Sequence, residues 1–553
     1  MKKMQKIISF ALAATLSLGI LAGCSSKKKD ELEGYLDGRT KKVSVVYTAN
    51  AYGKEWITQI AKQYMEKHNS DTYIQLTQTV DQGTEVSKIE TGISSGDLYL
   101  LDQSLNDLVD NIESLKDVYE SYAIGEENNE DKMFIKDKLS PMFANKSDYA
   151  GTYDYVMPYA GATAGYGLVY NKTVLDEAFP DGYTLPRTTQ ELFEFGDSMK
   201  SVDLKGVNED QDLYLMVCSF GDDNEYLQYT FAPWFAQIMG MEKFEKFMEG
   251  RYYDEATSTY KFDKTNPTVY EKYQSELEDF HGILLKLMTK SNGYVHKDSD
   301  SIDYKYASCV EAGMGYKGMM SKTAFKVDGS YFEEEAKLFL DGMKDNGQEQ
   351  TMGMLKLPIA SDIIKRLPTV NDDATLRSAI DYVDGVTAEK PAGVSDDDLA
   401  EVAEARGMIG VYLGGGMVVP KKASNKDGAK DFIRYLCSDE AAIIAAQSLH
   451  GMELLPYGKT VTNEELGFTR SNFLDDISKW QTMNKTLINT GNYALPYYTE
   501  FDIGTTPSLT LSTIFRGNSY ATSTAWWEAN KTYFGDRWET IVTDYEKGVG
   551  AIE

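Results

Sequence analysis

Between residues 43 and 101 the sequence switches repeatedly between two periodicities, and this limits the folds open to it. VSVVYT (43–48) reads as a strand. Across WITQIAKQYMEKH, residues Trp56, Ile57, Ile60, Ala61, Tyr64 and Met65 recur at helical spacing and give one apolar face. YIQLTQT (73–79) alternates like a strand, a helix is expected over about 83–93, and DLYLL (97–101) is a strand again. A β-α-β-α-β order predicts a parallel sheet with helices on its faces, hence an α/β protein.

That order also decides the meaning of GISSG (92–96), which matches the G-x-S-x-G pattern of a hydrolase nucleophile elbow. An elbow is a strand-to-helix turn, whereas this stretch follows a helix and precedes a strand. Ser94 is therefore expected in a turn, with Gly96 in the left-handed region. The four histidines (His68, His281, His296 and His450) offer few partners for a catalytic serine. GMGYKG (313–318) matches G-x-G-x-x-G but follows what reads as a helix end, not a strand, so it is no dinucleotide fingerprint. NEDQD (208–212) begins like a calcium loop, yet it lacks the glycine at position six and the glutamate at twelve. No catalytic residue, metal site or cofactor is expected.

MKKMQK followed by IISFALAATLSLGI has the basic and apolar regions of a signal peptide. The next residues, Leu21-Ala22-Gly23-Cys24, resemble a bacterial lipobox. The resemblance implies cleavage before Cys24 and a lipid on its sulfur, with a flexible tether over 24–42. No later segment is apolar enough to span a bilayer, so the mature chain is expected to be anchored to the extracytoplasmic face of the membrane without spanning it. Removing residues 1–23 takes away Lys2, Lys3 and Lys6 and no acid, which moves the net charge from −30 to −33. Such a surface repels phosphate backbones and argues against nucleic-acid binding. Cys218, Cys309 and Cys437 read as small core residues.

GYGLVYNKTVLDEAF and TLPRTTQELFEFGDSMK carry a further resemblance. In the second stretch Thr188 and Glu191 are placed to form a capping box, ahead of an apolar stripe of Leu192, Phe195 and Met199. With SGDLYLLD (95–102), MGMLKLP (352–358) and YLGGGMVVPKKASNKDGAKDFIRYLCSDEAA (412–442), these segments resemble bacterial extracellular solute-binding proteins of the sugar ABC-transporter type. The resemblance implies an α/β, two-lobe periplasmic-binding-protein-like fold (type II), each lobe a mainly parallel sheet flanked by helices, with a hinge of crossing strands. Lobe 1 is expected over 40–157 with 358–445, and lobe 2 over 165–357 with 446–553. The hinge is placed near 157–165. Extra length falls at 245–305 and 365–408, which carry few periodic signals.

The same resemblance implies a monomeric receptor, not an enzyme, that passes a carbohydrate, expected to be an oligosaccharide, to ABC permease subunits. A peptide or cationic solute is the alternative ligand, and a surface adhesin or sensor the alternative role. Sugar sites combine aromatic platforms with amides and carboxylates. Trp234 is the leading platform, because the resembling family has a cleft aromatic there. Asn50, Tyr52 and Glu55 follow the first strand, and Asp102 and Gln103 follow the third, at the carboxyl ends where open α/β sheets bind ligands. Tyr159 sits at the expected hinge and Tyr412 precedes Gly414–Gly416. Tyr493, Tyr497 and Trp527 complete the candidates, while Trp56 is assigned to the core.

Overall fold

The computed structural model describes residues 32–49, 52–102, 105–139, 154–159, 165–205, 207, 209–220, 224–301, 305–313, 321–411, 416–457, 459–481, 486–488, 511–517, 520 and 522–549. The first sheet begins with β1 (Lys41–Thr48), α1 (Glu55–Gln63), β2 (Thr72–Thr79), α2 (Gln82–Glu90) and β3 (Leu98–Leu101). A second sheet follows with β4 (Tyr166–Asn171), α3 (Lys172–Ala178), α4 (Thr189–Met199), β5 (Leu213–Val217), α5 (Asn224–Met239), β6 (Lys322–Gly329), α6 (Phe332–Glu335) and β7 (Met352–Leu355). Next come α7 (Asp373–Val383), α8 (Asp396–Gly407), β8 (Met408–Gly410), β9 (Gly416–Val418), α9 (Lys426–Leu436) and α10 (Asp439–Ser448). The last labelled elements are α11 (Asn472–Gln481), β10 (Thr486–Ile488) and α12 (Ser523–Gly535).

The first sheet has the order β9-β3-β1-β2, with β1 parallel to β2 and β3 and β9 antiparallel to β3. This is the predicted β-α-β-α-β unit. Trp56, Ile57, Ile60 and Ala61 of α1 are buried as their spacing required, and Trp56 is a core residue. The second sheet, ordered β5-β6-β4-β7, departs from the mainly parallel expectation. Only β5 and β6 are parallel, because β4 runs against both of its neighbours.

Several local expectations change. Gly92, not Gly96, takes the left-handed region (φ 70°) after α2. Gly96 is instead a contact glycine, since a Cβ there would stand 2.8 Å from the Tyr99 ring. Thr188 caps α4 by accepting the Glu191 N–H at 3.2 Å, but Glu191 reaches the Arg187 N–H and not that of Thr188, so the capping box is half formed. The tether cannot be flexible as far as residue 42: Leu32 is buried, and Tyr35 donates to Glu66 across to the segment after α1. Within 245–301 the chain forms a hairpin at Arg251–Asp254 and Thr259–Phe262 and a long helix at Gln274–Met288. Cys218, Cys309 and Cys437 are buried and form no disulfide among the described residues.

The boundaries between the two bodies also move. Residues 359–407 pack on the second body and not the first. Ile359 bridges to Thr188, Arg187 binds Asp381 at 2.7 Å, and Gln237 of α5 donates to Ala405 O at 3.1 Å. Conversely, 446–466 stays with the first body, where Tyr457 bridges to Leu139. The described residues thus pass from the first body to the second between Tyr159 and Gly165, back to the first between Val411 and Gly416, and to the second again near 467–471. At the first two crossings backbones touch. Gly165 holds φ +80°, and a Cβ on it would meet Gly410 O at 2.4 Å, so no side chain fits there. Tyr457 ties the same region by donating to Pro158 O at 2.8 Å.

Candidate functional site

The carboxyl ends of β1 and β6 and the amino end of β4 meet between the two bodies, and tyrosines gather there. Tyr52, just past β1, touches Tyr331, just past β6, edge-on with ring centroids 6.3 Å apart. Tyr331 donates its hydroxyl to that of Tyr166 at 2.7 Å. Tyr226 of α5 lies 5.5 Å from Tyr166 and 5.9 Å from Tyr331, and Tyr229 lies 4.9 Å from Tyr166. Tyr52, Tyr226 and Tyr331 are each partly exposed. Burial pushes the phenols of Tyr52, Tyr166, Tyr226 and Tyr331 up, which keeps them neutral donors.

Carboxylates border the rings. Tyr226 donates to both oxygens of Glu335, at 3.1 and 3.2 Å. Burial, reinforced by the charge of Asp328, pushes Glu335 up to about 7, so near neutral pH it can donate or accept a hydrogen bond. Asp328 is fully buried and held by Lys326 Nζ at 2.7 Å and by the Gly329 N–H at 2.7 Å. The Lys326 ammonium stands 4.3 Å over the Tyr306 ring. Strand alternation puts Lys326 and Asp328 on one face of β6, under the helix Tyr306–Gly313.

The sequence-derived candidates distribute unevenly. Tyr52 lies in this cluster, and the charge of Asp102 is close enough to help raise its phenol. Tyr159 is at the first crossing, buried and stacked on Trp56 at 6.3 Å. Glu55 is exposed at the start of α1, within hydrogen-bond reach of Gln59. Trp234, expected to face the cleft, does not. It is fully buried in the second body, stacked on Phe231 at 4.8 Å, with its indole N–H donating to Pro358 O at 2.7 Å. Trp527 is likewise spent on packing, its N–H donating to Tyr270 O at 2.9 Å. Asn50, Gln103, Tyr412, Tyr493, Tyr497 and Cys24 lie outside the described residues, as does GMGYKG beyond Gly313. Sequence reasoning missed Tyr166, Tyr226, Tyr331, Lys326, Asp328 and Glu335. The signal was present: DGSY (328–331) ends a strand, and the rule that selected Tyr52 selects it too.

Among the described residues no cluster of His, Cys, Asp and Glu could hold a metal ion, and no helix is long and apolar enough to cross a membrane. The acidic run ends in Asp212, whose carboxylate accepts the Leu204 N–H at 2.9 Å.

Residues 59–466 match the family described as bacterial extracellular solute-binding protein. Among solved structures, the chain is similar in fold to the binding protein msme of Bacillus subtilis in an open conformation, with 14% identity, 92% of this chain and 100% of that one covered, and a TM-score of 0.52. It is similar to the GacH receptor of Streptomyces glaucescens, solved unliganded and with acarbose (16%, 92% and 100%, 0.50). It is also similar to RafE, solved in apo form from Streptococcus pneumoniae (13%, 91% and 99%, 0.52) and in complex with raffinose (13%, 90% and 100%, 0.50). No curated protein matches the chain.

Proposed function

Because this chain belongs to the bacterial extracellular solute-binding protein family, we propose that it captures an oligosaccharide between its two bodies and delivers it to the permease of an ABC importer. The observation that carries this reading is the contact of Tyr52 with Tyr331 across the bodies, with Glu335 one turn further on. Sugars present apolar C–H faces ringed by hydroxyls. The faces stack on rings, and the hydroxyls pair with phenols and carboxyls. The acarbose and raffinose bound by GacH and RafE support the same ligand class. Tyr52, Asp102, Tyr166, Tyr226, Tyr331 and Glu335 are the proposed contacts, with Asn50, Gln103, Tyr412, Tyr493 and Tyr497 retained from the sequence. The family's members are binding proteins, and no catalytic role is assigned.

We also propose that the mature chain begins at Cys24, whose lipidated sulfur holds it to the outer face of the membrane. A thermal-shift screen against a glycan panel tests the ligand reading, since a ligand that binds only the folded state raises its melting temperature. A panel without a hit, alongside a hit among basic peptides, would replace it. That second reading has its own support: Asp328 and Glu335 share the ammonium of Lys326, and the charge of Asp102 also reaches the cluster at Tyr52. Affinity that collapses with added salt would favour it.

A further inference from the structure

Three consecutive glutamates of α6, a single helical turn, are each held by a different part of the molecule. Glu333 accepts the Ser471 hydroxyl at 2.7 Å, at the third crossing. Glu334 lies 2.7 Å from His450 Nδ1 of the first body. Glu335 accepts from Tyr226 of α5, at 3.1 and 3.2 Å. Tyr331, just before the turn, meets Tyr52 of the first body. The element that ties the bodies together is thus built from acids adjacent in sequence.

Ionised carboxylates this close repel one another, and their surroundings offset little of it. Glu333 faces Glu334 and, of opposite sign, His450 and Lys337. Glu335 faces Asp328 of β6, the phenols of Tyr226 and Tyr306 and, of opposite sign, Lys326. That ammonium is already 2.7 Å from Asp328. Tyr52 and Tyr331 stand close enough for the charge of Glu335 to raise their phenols. Burial, the largest cause, pushes both Glu333 and Glu335 up to about 7. The contact of Glu334 with His450 is ionic only while the imidazole is protonated. Raising the pH therefore adds charge to two buried acids and discharges the cation beside the third. Separating the bodies would withdraw His450 and Tyr52 and open the turn to water, where an ionised carboxylate is favoured.

We propose that α6 is a proton-operated latch, which joins the two bodies while its carboxyls are protonated and lets them part as the carboxyls ionise. The latch acts in the empty protein and does not depend on which solute the cleft binds. A carboxyl that holds its proton more tightly when the bodies are joined favours joining at low pH, and this advantage is lost as pH rises to about 7.

Small-angle X-ray scattering of the ligand-free protein between about pH 5.5 and about pH 8.5 tests this. The wild-type radius of gyration is expected to rise up to about pH 7 and then level off. The double variant Glu333→Gln, Glu335→Gln keeps the shape of the protonated acids without their charge, and should stay at the compact value throughout. His450→Gln should leave most of the rise in place, because its exposed pair is screened by water. Thermal melts at each pH establish that the compared proteins are folded. Should the double variant not fold, Glu335→Gln alone takes its place and is expected to show a smaller rise than the wild type. A wild-type radius that does not change with pH, or a glutamine variant that expands as much as the wild type, would overturn the proposal.

Discussion

His450 Nδ1 lies 2.7 Å from Glu334 Oε1, which joins the turn after α10 in the first body to α6 in the second. His450 adopts φ 55°, unusual for a residue with a Cβ. The adjacent acids on α6 reach elsewhere. Glu333 accepts from Ser471 Oγ at 2.7 Å, at the third crossing, and Glu335 accepts from Tyr226. One helical turn directly after Tyr331 therefore touches the ring cluster, a crossing and the opposite body. The His450 side chain is 59% exposed, however, so its pair with Glu334 is screened by water and contributes little.

His450→Gln should accordingly shift the balance between the bodies by no more than about 1 kcal/mol. Ligand affinity is expected to fall less than about fivefold, and the difference from wild type should shrink as salt is added. Titration calorimetry at low and high ionic strength measures both. A loss that persists at high salt would mean that the side chain acts by packing and not by charge.

Tyr331 should behave differently. Its ring touches Tyr52 across the two bodies, and its hydroxyl donates to that of Tyr166. Tyr331→Phe removes one buried hydrogen bond and is expected to cost about 1 kcal/mol of stability. Tyr331→Ala removes the platform and should cost about 2 kcal/mol or more of binding. Calorimetry with the best ligand from the glycan panel separates the two variants, and equal affinities for wild type and Tyr331→Ala would take the ring out of the site.

The parts of the fold that were legible in the sequence are those fixed by local periodicity. The Trp56–Met65 stripe and the strands around it sit where their patterns put them. What escaped is held by contacts distant in sequence. Residues 359–407 dock on the second body through Arg187–Asp381 and Arg377–Glu191, pairs more than 180 residues apart, and nothing local encodes that choice. Trp234 failed for a different reason. YTFAPWFAQIM is apolar on every side, and a helix apolar all round is buried. That pattern outweighs the position the tryptophan holds in the resembling family.

Glu335 and Glu333 give a pH test. Burial pushes both up to about 7, above the ordinary glutamate value near 4.3 in the unfolded chain. Between those values the folded state holds protons that the unfolded state has released. Their contribution to stability is therefore full below the unfolded pKa and is lost as pH rises to about 7. His296, pushed down by burial to about 4, acts in the opposite sense, since it must charge on unfolding as pH falls. The informative quantity is thus the difference between wild type and Glu335→Gln. The variant is expected to gain relative stability from pH 5 to pH 8 in thermal melts. A difference that stays flat with pH would contradict the assigned burial of Glu335.

The proposed anchoring rests on one thiol. Cys24→Ala should release the protein from membranes or leave it unprocessed, as fractionation and mass of the product would show. Mature variant protein that still partitions with membranes would reject the lipidation of Cys24.

Trp234 supplies the complementary experiment to Tyr331. Its ring is stacked on Phe231 and its N–H is bonded to Pro358 O, so Trp234→Ala opens a cavity and leaves a buried carbonyl without its donor. The expected cost is about 3–5 kcal/mol of stability. Provided the variant still melts cooperatively above the assay temperature, its ligand affinity should stay within about twofold of wild type. Tyr331→Ala is expected to show the reverse, with a modest loss of stability and a large loss of affinity. A Trp234→Ala protein that is fully folded but binds far more weakly would mean that the cleft extends to this helix in the liganded state. The tryptophan would then be a platform after all.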